Sequence, residues 1–435
     1  MRLEVRSFPV SDIVFGKATR LEDDVLHVDR EEIRNLVLQD PRIAAVDVEL
    51  AHPGESVRIV HVCDALQPLL KVEGPGNCYP AATGSVETVG TGITHKLSGV
   101  AVVLSVEYPR IEKVEVGGPP PIYEAILDMS GPGAISALAR TLNVVLAIHL
   151  APGYAIADCH DAVKKAGFRV SERLAKTTAE VKAKSSRAYE LSQPKKDLPR
   201  VVYVNQILSQ LNLAVPFATW YGNYITDWMP TWVHPNEILD GALIPSALGG
   251  YSVKPTSWEF VNNPVIERLY RAHGTEIDFA GVILHRTRFE TFREKQLSSN
   301  QAANLAKFIG AQAAIITWVS AGNAFIEGVL TFQALERQGI KAVFMTYEHG
   351  GKDGREAPLM YSAPEADALV SVGSLDRPIA LPAVQRVIGG SDLGISPEAG
   401  DERIEAAGEI KLDWFLPVVS AVDHWGFGKQ ICRDY

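Results

Sequence analysis

A chain of 435 residues is too long for one ordinary core, so two domains are expected. With 46% hydrophobic and 22% charged residues it has the composition of a globular protein, and a net charge of −10 excludes a surface built to neutralise nucleic-acid phosphates or anionic headgroups. Four cysteines, Cys63, Cys78, Cys159 and Cys432, point to a reducing compartment rather than a disulfide framework. The start MRLEVRSFPV lacks the apolar core of a signal peptide, and the most apolar stretches, 97–106 and 142–150, are far short of a membrane span. The expected location is cytoplasmic.

The first 60 residues read as short strands with one helix. Arg2-Leu3-Glu4-Val5 alternates, residues 29–38 carry an acidic start with Ile33, Leu36 and Val37 at helical spacing, and residues 42–50 alternate again before the turn His52-Pro53-Gly54. Residues 71–126 are rich in Gly, Pro, Thr and Val with frequent turns, the pattern of a β-rich unit or barrel. A buried strand begins at Leu142, and residues 156–181 have helical periodicity through Ala162, Val163, Ala166, Val170, Leu174 and Val181.

Residues 182–199 are charged and proline-punctuated and read as a connection. The expected division is an N-terminal β-rich α+β domain over 1–185, a linker over 186–199, and an α/β domain over 200–435. In the last part, apolar strands at 201–207, 280–284, 313–318, 342–346 and 368–372 are separated by helical stretches, notably 300–309 and 324–338. That alternation implies a doubly wound, Rossmann-like, mostly parallel sheet. Ligands in such sheets bind beyond the carboxyl ends of the strands, which selects the following loops.

Three of those loops carry candidate chemistry. Glu348, His349 and Asp353 combine acid and base groups with glycines in Tyr347-Glu348-His349-Gly350-Gly351-Lys352-Asp353-Gly354-Arg355, where Arg355 can hold an anion. His285-Arg286 pairs a group that titrates near neutrality with a carboxylate clamp, although placement on the surface accounts for it equally simply. Gly322-Asn323-Ala324 opens a helix and reads as an anion-holding turn or as a plain cap by Asn323. Four of the seven tryptophans, Trp220, Trp228, Trp232 and Trp258, fall within residues 220–258, as in a subunit interface or an ammonium-binding cage. Neither His61 with Cys63 nor Cys159 with His160 has a second ligand pair, so no zinc site is expected.

The order of several blocks resembles one family. Asp40-Pro41-Arg42-Ile43, Lys71-Val72-Glu73-Gly74-Pro75-Gly76, Thr94-His95-Lys96, Asp128-Met129-Ser130-Gly131, Asp240-Gly241-Ala242, Lys254 and Asn262-Asn263-Pro264 are similar to the α/β precursor subunit of component B of the glycine, sarcosine and betaine reductases, to which D-proline reductase is related. The resemblance implies a chain cut at an Asn-Cys pair, whose cysteine becomes a pyruvoyl group that captures the substrate amine. Counting back from Asn262-Asn263-Pro264, Ala247-Leu248 stands there. Leucine has no nucleophilic atom, so no cofactor is expected unless Ser246 or Ser252 substitutes. Asn77-Cys78 repeats the dipeptide far upstream and reads as a decoy. The resemblance further implies a partner subunit bearing a redox-active thiol or selenol, a small amine or amino-acid-like substrate, and an oligomer. A stand-alone lyase or hydrolase and a non-catalytic scaffold remain alternatives.

Overall fold

The computed structural model describes every residue except 81, 85, 109–124, 193–196, 213–214, 217, 246–253, 289, 320–321, 395–402, 416 and 428–435, together with the side chains of 210–212 and 215–216. The first part of the chain supplies β1 (Arg2–Pro9), α1 (Arg30–Val37), β2 (Ile43–Ala51), β3 (Val57–Leu66), β4 (Leu69–Glu73) and β5 (Gly92–Ser98). It continues through β6 (Val100–Val106), β7 (Ala125–Asp128), β8 (Leu142–Leu150), α2 (Ile156–Ala175) and β9 (Ser185–Glu190). Asp29 caps α1 by accepting from the amides of Glu31 and Glu32, and Ile33 and Val37 turn inward.

Two sheets form here. One has the order β9-β1-β5-β4, and the larger runs β7-β3-β6-β8-β2. All ten residues of β3 are buried, because it is an inner strand covered on both sides. Helix α2 lies across the larger sheet closely enough that a Cβ on Gly167 would come within 2.8 Å of Leu66 and Leu104. Residues 185–190, read from the sequence as the start of a connection, pair with β1 along their whole length.

The second part contains β10 (Arg200–Asn212), β11 (Thr231–Val233), α3 (Pro235–Leu239), β12 (Leu243–Pro245), α4 (Ser257–Val261), α5 (Pro264–Ala272) and β13 (Asp278–Arg288). After these come α6 (Phe292–Ile309), β14 (Ala313–Val319), α7 (Ala324–Arg337), β15 (Lys341–Glu348) and β16 (Leu369–Ser374). The sheet order is β11-β13-β10-β14-β15-β16, parallel from β13 to β16 and antiparallel at β11. Val202 and Val204 of β10 share a core with α6 and α7, while Tyr203 shares another with α5, so helices pack on both faces. The chain is thus a mixed α/β protein. The alternation of strand and helix stops after β15, where residues 349–368 reach β16 without a helix.

The chain then returns to its first sheet, which the sequence reading did not anticipate. Strand β17 (Arg386–Ile388) pairs parallel with β3. Beside it the buried Arg58 grips Asp128 in two-pronged fashion at 2.7 and 3.0 Å and donates to the carbonyls of Pro382, Ala406 and Gly408. One buried cation therefore fastens the late segment onto the early sheet.

Candidate functional site

The loop after β15 is anchored at its start and open further on. Tyr347 is buried and stacks on Trp318 at 4.9 Å. The amides of Gly350 and Gly351 donate to Asp376, and His349 Nδ1 lies 3.6 Å from the same carboxylate. His349 Nε2 is buried and has no hydrogen-bond partner among the described residues. Asp353 and Arg355 face solvent and meet each other at 3.6 Å, and Glu348 is half-buried at the strand end. The structure thus joins His349 to Asp376, a residue the sequence reading missed, and leaves Asp353 and Arg355 as a surface pair.

His285 is not on the surface. It is fully buried, with Nδ1 2.9 Å from Gln206 and Nε2 2.7 Å from Ser298 and 3.3 Å from Glu327. Lys295 lies 3.4 Å from the same carboxylate. Burial pushes the Glu327 carboxyl up, but His285 and the nearby Lys295 and Arg286 cations outweigh it and hold the group below its ordinary range. Strand alternation sends Arg286 the other way, where it is buried against Glu290 at 2.7 Å and donates to the carbonyl of Trp228. Both side chains are occupied in packing. Asn323 stands at the start of α7, yet its side chain makes no capping bond, so the simple cap reading is also corrected. In the sheet, β13 and β15 are three strand spacings apart, about 14 Å, with β10 and β14 between them.

The tryptophans do not form one face. Trp220 and Tyr221 belong to the core, Trp228 and Trp258 are partly buried, and Trp232 is 42% exposed with its indole N–H on the carbonyl of Ala280. Asp240-Gly241 is a built turn. The Asp240 carboxylate accepts from Lys71, Thr94 and the amide of Gly90, and Gly241, at φ +87°, lies so close to Tyr79 that a Cβ would meet its ring at 2.4 Å. Asn77-Cys78, remote in sequence, comes next to this turn, since the amide of Tyr79 donates to the carbonyl of Asp240. Burial pushes the Cys78 thiol well up.

A second buried polar group lies on the first part of the chain. On β3, Asp64 accepts from the amides of Ala65 and Ser257, both at 2.8 Å, and from the Ser257 hydroxyl at 2.7 Å. Lys254 is 2% exposed, with Nζ 3.4 Å from the carbonyl of Cys63. Lys164 reaches from α2 to the carbonyl of Pro245. Burial pulls both lysines down to about 8, against a partial upward pull from Asp64. Burial also pushes the Asp64 carboxyl up, the Cys63 thiol up, and His160 down to about 3. Pro245 and Lys254 flank residues 246–253, so Ser246, Ala247-Leu248 and Ser252 lie outside the described residues. Sequence reading missed Asp64 and Lys164 and used Lys254 only as a landmark. A carboxylate in the largely apolar strand Val57–Leu66, and a lysine four residues from both His160 and Phe168 on α2, were the available signals.

Among the described residues no group of three His, Cys, Asp or Glu side chains could hold a metal ion, and no described helix is long and apolar enough to cross a membrane.

The chain is thus a mixed α/β protein with a built Asp-Gly turn and a buried lysine, Lys254, at the end of one short segment. The family model of glycine/sarcosine/betaine reductase component B subunits matches residues 1–433. The chain is 35% identical over 443 residues to the sarcosine reductase complex component B subunit alpha of Peptoclostridium acidaminophilum, covering 100% of both. It is 32% identical over 446 residues to the glycine reductase complex component B subunits alpha and beta of Acetoanaerobium sticklandii, again covering 100% of both. The D-proline reductase proprotein of the latter organism is 21% identical over 79% of this chain and 54% of its own length. No solved structure matches. This chain belongs to the glycine/sarcosine/betaine reductase component B subunit family.

Proposed function

We propose that the chain is a subunit of a component B-like reductase complex that cleaves a carbon–heteroatom bond, of the C–N type, in a small amine or amino-acid derivative, without a pyruvoyl group of its own. The reading rests on Ala247-Leu248, which by an ungapped count back from Asn262-Asn263-Pro264 stands where the resemblance puts the family's Asn-Cys pair, together with a family match over residues 1–433. Leu248 offers no atom to attack the preceding carbonyl. Amine capture by a self-made carbonyl is therefore closed at that position, and the reducing thiol or selenol belongs to a partner subunit. The parallel strand order and the helices on both faces of the second sheet support treating its strands, from Arg200 to Ser374, as a Rossmann-like unit, and the cysteine usage of the sequence supports a cytoplasmic location. On that frame the substrate end is the loop with Glu348, His349, Asp353 and Arg355, where His349 Nε2 awaits a partner.

A stand-alone lyase or hydrolase is the second reading. The buried Lys254 favours it, since it gives the chain an amine chemistry of its own.

Purification from the native host tests the first reading. One intact chain of 47.3 kDa is expected, together with a second component B-like subunit. Two fragments, the smaller blocked at its amino terminus by a carbonyl, would overturn the absence of a pyruvoyl group. A monomer that binds none of its genomic neighbours would overturn the complex.

A further inference from the structure

Helix α6 is amphipathic the wrong way round for a helix that only covers a sheet. It packs on β13 and α7, and its buried residues there are Ser298, Ser299, Ala302, Ala303 and Ala306, with Lys295 among them. The large apolar side chains are on the outward face. Phe308 is 88% exposed and Leu297 56%, and Leu305, three residues before Phe308, is half-buried. A surface helix ordinarily buries its large apolar residues and presents polar ones to water. Close approach to the sheet accounts for the small inward residues and leaves the outward leucine and phenylalanine without a reason inside one copy of the chain.

The outward stripe also has a symmetric order. Leu297, Gln301, Asn304 and Phe308 follow at spacings of four, three and four residues, so they line one side of the helix. An apolar residue stands at each end and an amide at each inner position, and the order reads the same from either end. No charge falls within the stripe. Arg293 and Glu294 precede it, and Lys307 borders it. The Asn304 side chain accepts from Gln338 at 2.8 Å, which orients its amide. Two chains that each carry a net charge of −10 repel one another, so a contact between copies requires a face without acids, and this stripe is such a face.

We propose that α6 is the contact between two copies of this chain, paired antiparallel about a two-fold axis at the level of Ala302 and Ala303. In that seating Leu297 of each copy meets Phe308 of the other, and Gln301 meets Asn304. Apolar then faces apolar and amide faces amide along the whole stripe. A two-fold contact uses the same patch on both copies, which is what the symmetric order supplies. A parallel pair would match like residues too, but it would set like ends of the two helix dipoles side by side, whereas the antiparallel pair sets opposite ends together. A charged partner would find nothing in the stripe to pair with. Phe308 is the anchor, as buried aromatic side chains are in interfaces generally. The inference goes beyond the reductase reading and does not rest on it, since it concerns the chain with itself.

The test is sedimentation of the purified full-length chain at micromolar concentration. The unaltered chain should have twice the mass of 47.3 kDa. Leu297→Glu combined with Phe308→Glu sets carboxylates against each other across the seam and should raise the dissociation constant by about 100-fold or more. The far-ultraviolet spectrum should be unchanged, because both positions face solvent within one copy. Gln301→Cys chains mixed with Asn304→Cys chains and oxidised should link to each other faster than either links to itself, with a peptide map that joins residue 301 to residue 304. A monomeric unaltered chain, a dimer that survives the paired glutamates, or self-linking that outpaces the mixture would overturn the proposal. If the paired variant fails to fold, the linking of the two single variants decides. An unaltered chain that is monomeric alone, and whose paired variant loses a component B-like subunit, would give the face to that subunit and also overturn the proposal. A paired variant that is monomeric yet keeps such a subunit upholds the contact and leaves the reductase reading to its own test.

Discussion

The loop after β15 and the lysine cluster beside β3 contain similar side chains in opposite settings. In the loop, Asp353 and Arg355 are exposed and spend their charge on each other. In the cluster, Asp64 and Lys254 are almost wholly removed from water. A pair of exposed charges is worth well under 1 kcal/mol, whereas a buried charge must be matched by bonds or else change its protonation state. The loop can therefore be altered with little effect on the fold, and the cluster cannot.

The largest expected effect is at Asp64. Asp64→Ala removes the acceptor for the Ser257 amide and hydroxyl and leaves two lysines without the carboxylate that draws them upward. The cost should be about 3 kcal/mol or more, read as a fall in the urea midpoint at unchanged slope. A loss below about 0.5 kcal/mol would mean that the cluster is hydrated and that the contrast with the loop is false.

The next effect is one of pH. Lys254 has a folded-state value of about 8 against an ordinary 10.5, so between those values the unfolded chain binds more protons than the folded one. Stability then rises with pH across that window, by up to about 1.4 kcal/mol per unit for one lysine, and is lowest below pH 8 where the folded protein must charge a buried amine. Cysteine and tyrosine groups titrate nearby, so the comparison to make is Lys254→Met against the unaltered chain. The advantage of the methionine variant should be greatest near pH 7 and shrink steadily from about pH 8 toward 10.5. A difference that stays flat with pH would show that Lys254 titrates as in water.

This contrast also accounts for what could be read from the sequence. Strands such as β10, β13 and β14 are runs of apolar residues, and α1 announces itself with Asp29 before an amphipathic turn, so local pattern was enough. The return of β17 to β3 was hidden because three residues carry the pairing and the clamp is a single arginine, Arg58, more than 300 positions away. The lysine cluster was hidden for the same reason. Asp64, Lys164 and Lys254 come from a strand, a helix and a connection about 100 residues apart, and nothing local marks them as neighbours. The loop residues were conspicuous because they are charged and contiguous, yet contiguity placed two of them on the surface. The pairing of His349 with Asp376 depends on a turn after β16 that lies beyond the motif.

The smallest expected effect on stability is in that loop, and there activity is the measurement that matters. Asp353→Ala removes an exposed carboxylate whose contacts are the Arg355 amide and side chain, so stability should change by no more than about 0.5 kcal/mol. His349→Ala removes a 3.6 Å contact with Asp376 but leaves the amides of Gly350 and Gly351 on that carboxylate, so the turn keeps its anchor and unfolds at nearly the same urea concentration. If the carboxyl end of β15 is the substrate end, the two variants must part in the assembled complex. His349 has a buried nitrogen without a hydrogen-bond partner among the described residues, at the strand end where that site would lie. Its loss should lower turnover by about 100-fold or more, while Asp353→Ala should lower it far less. Equal and full activity in both would make the loop a surface turn and move the search to the lysine cluster. Equal loss in both would mean that a substrate draws Asp353 inward, and the exposed pair with Arg355 would then describe only the empty loop.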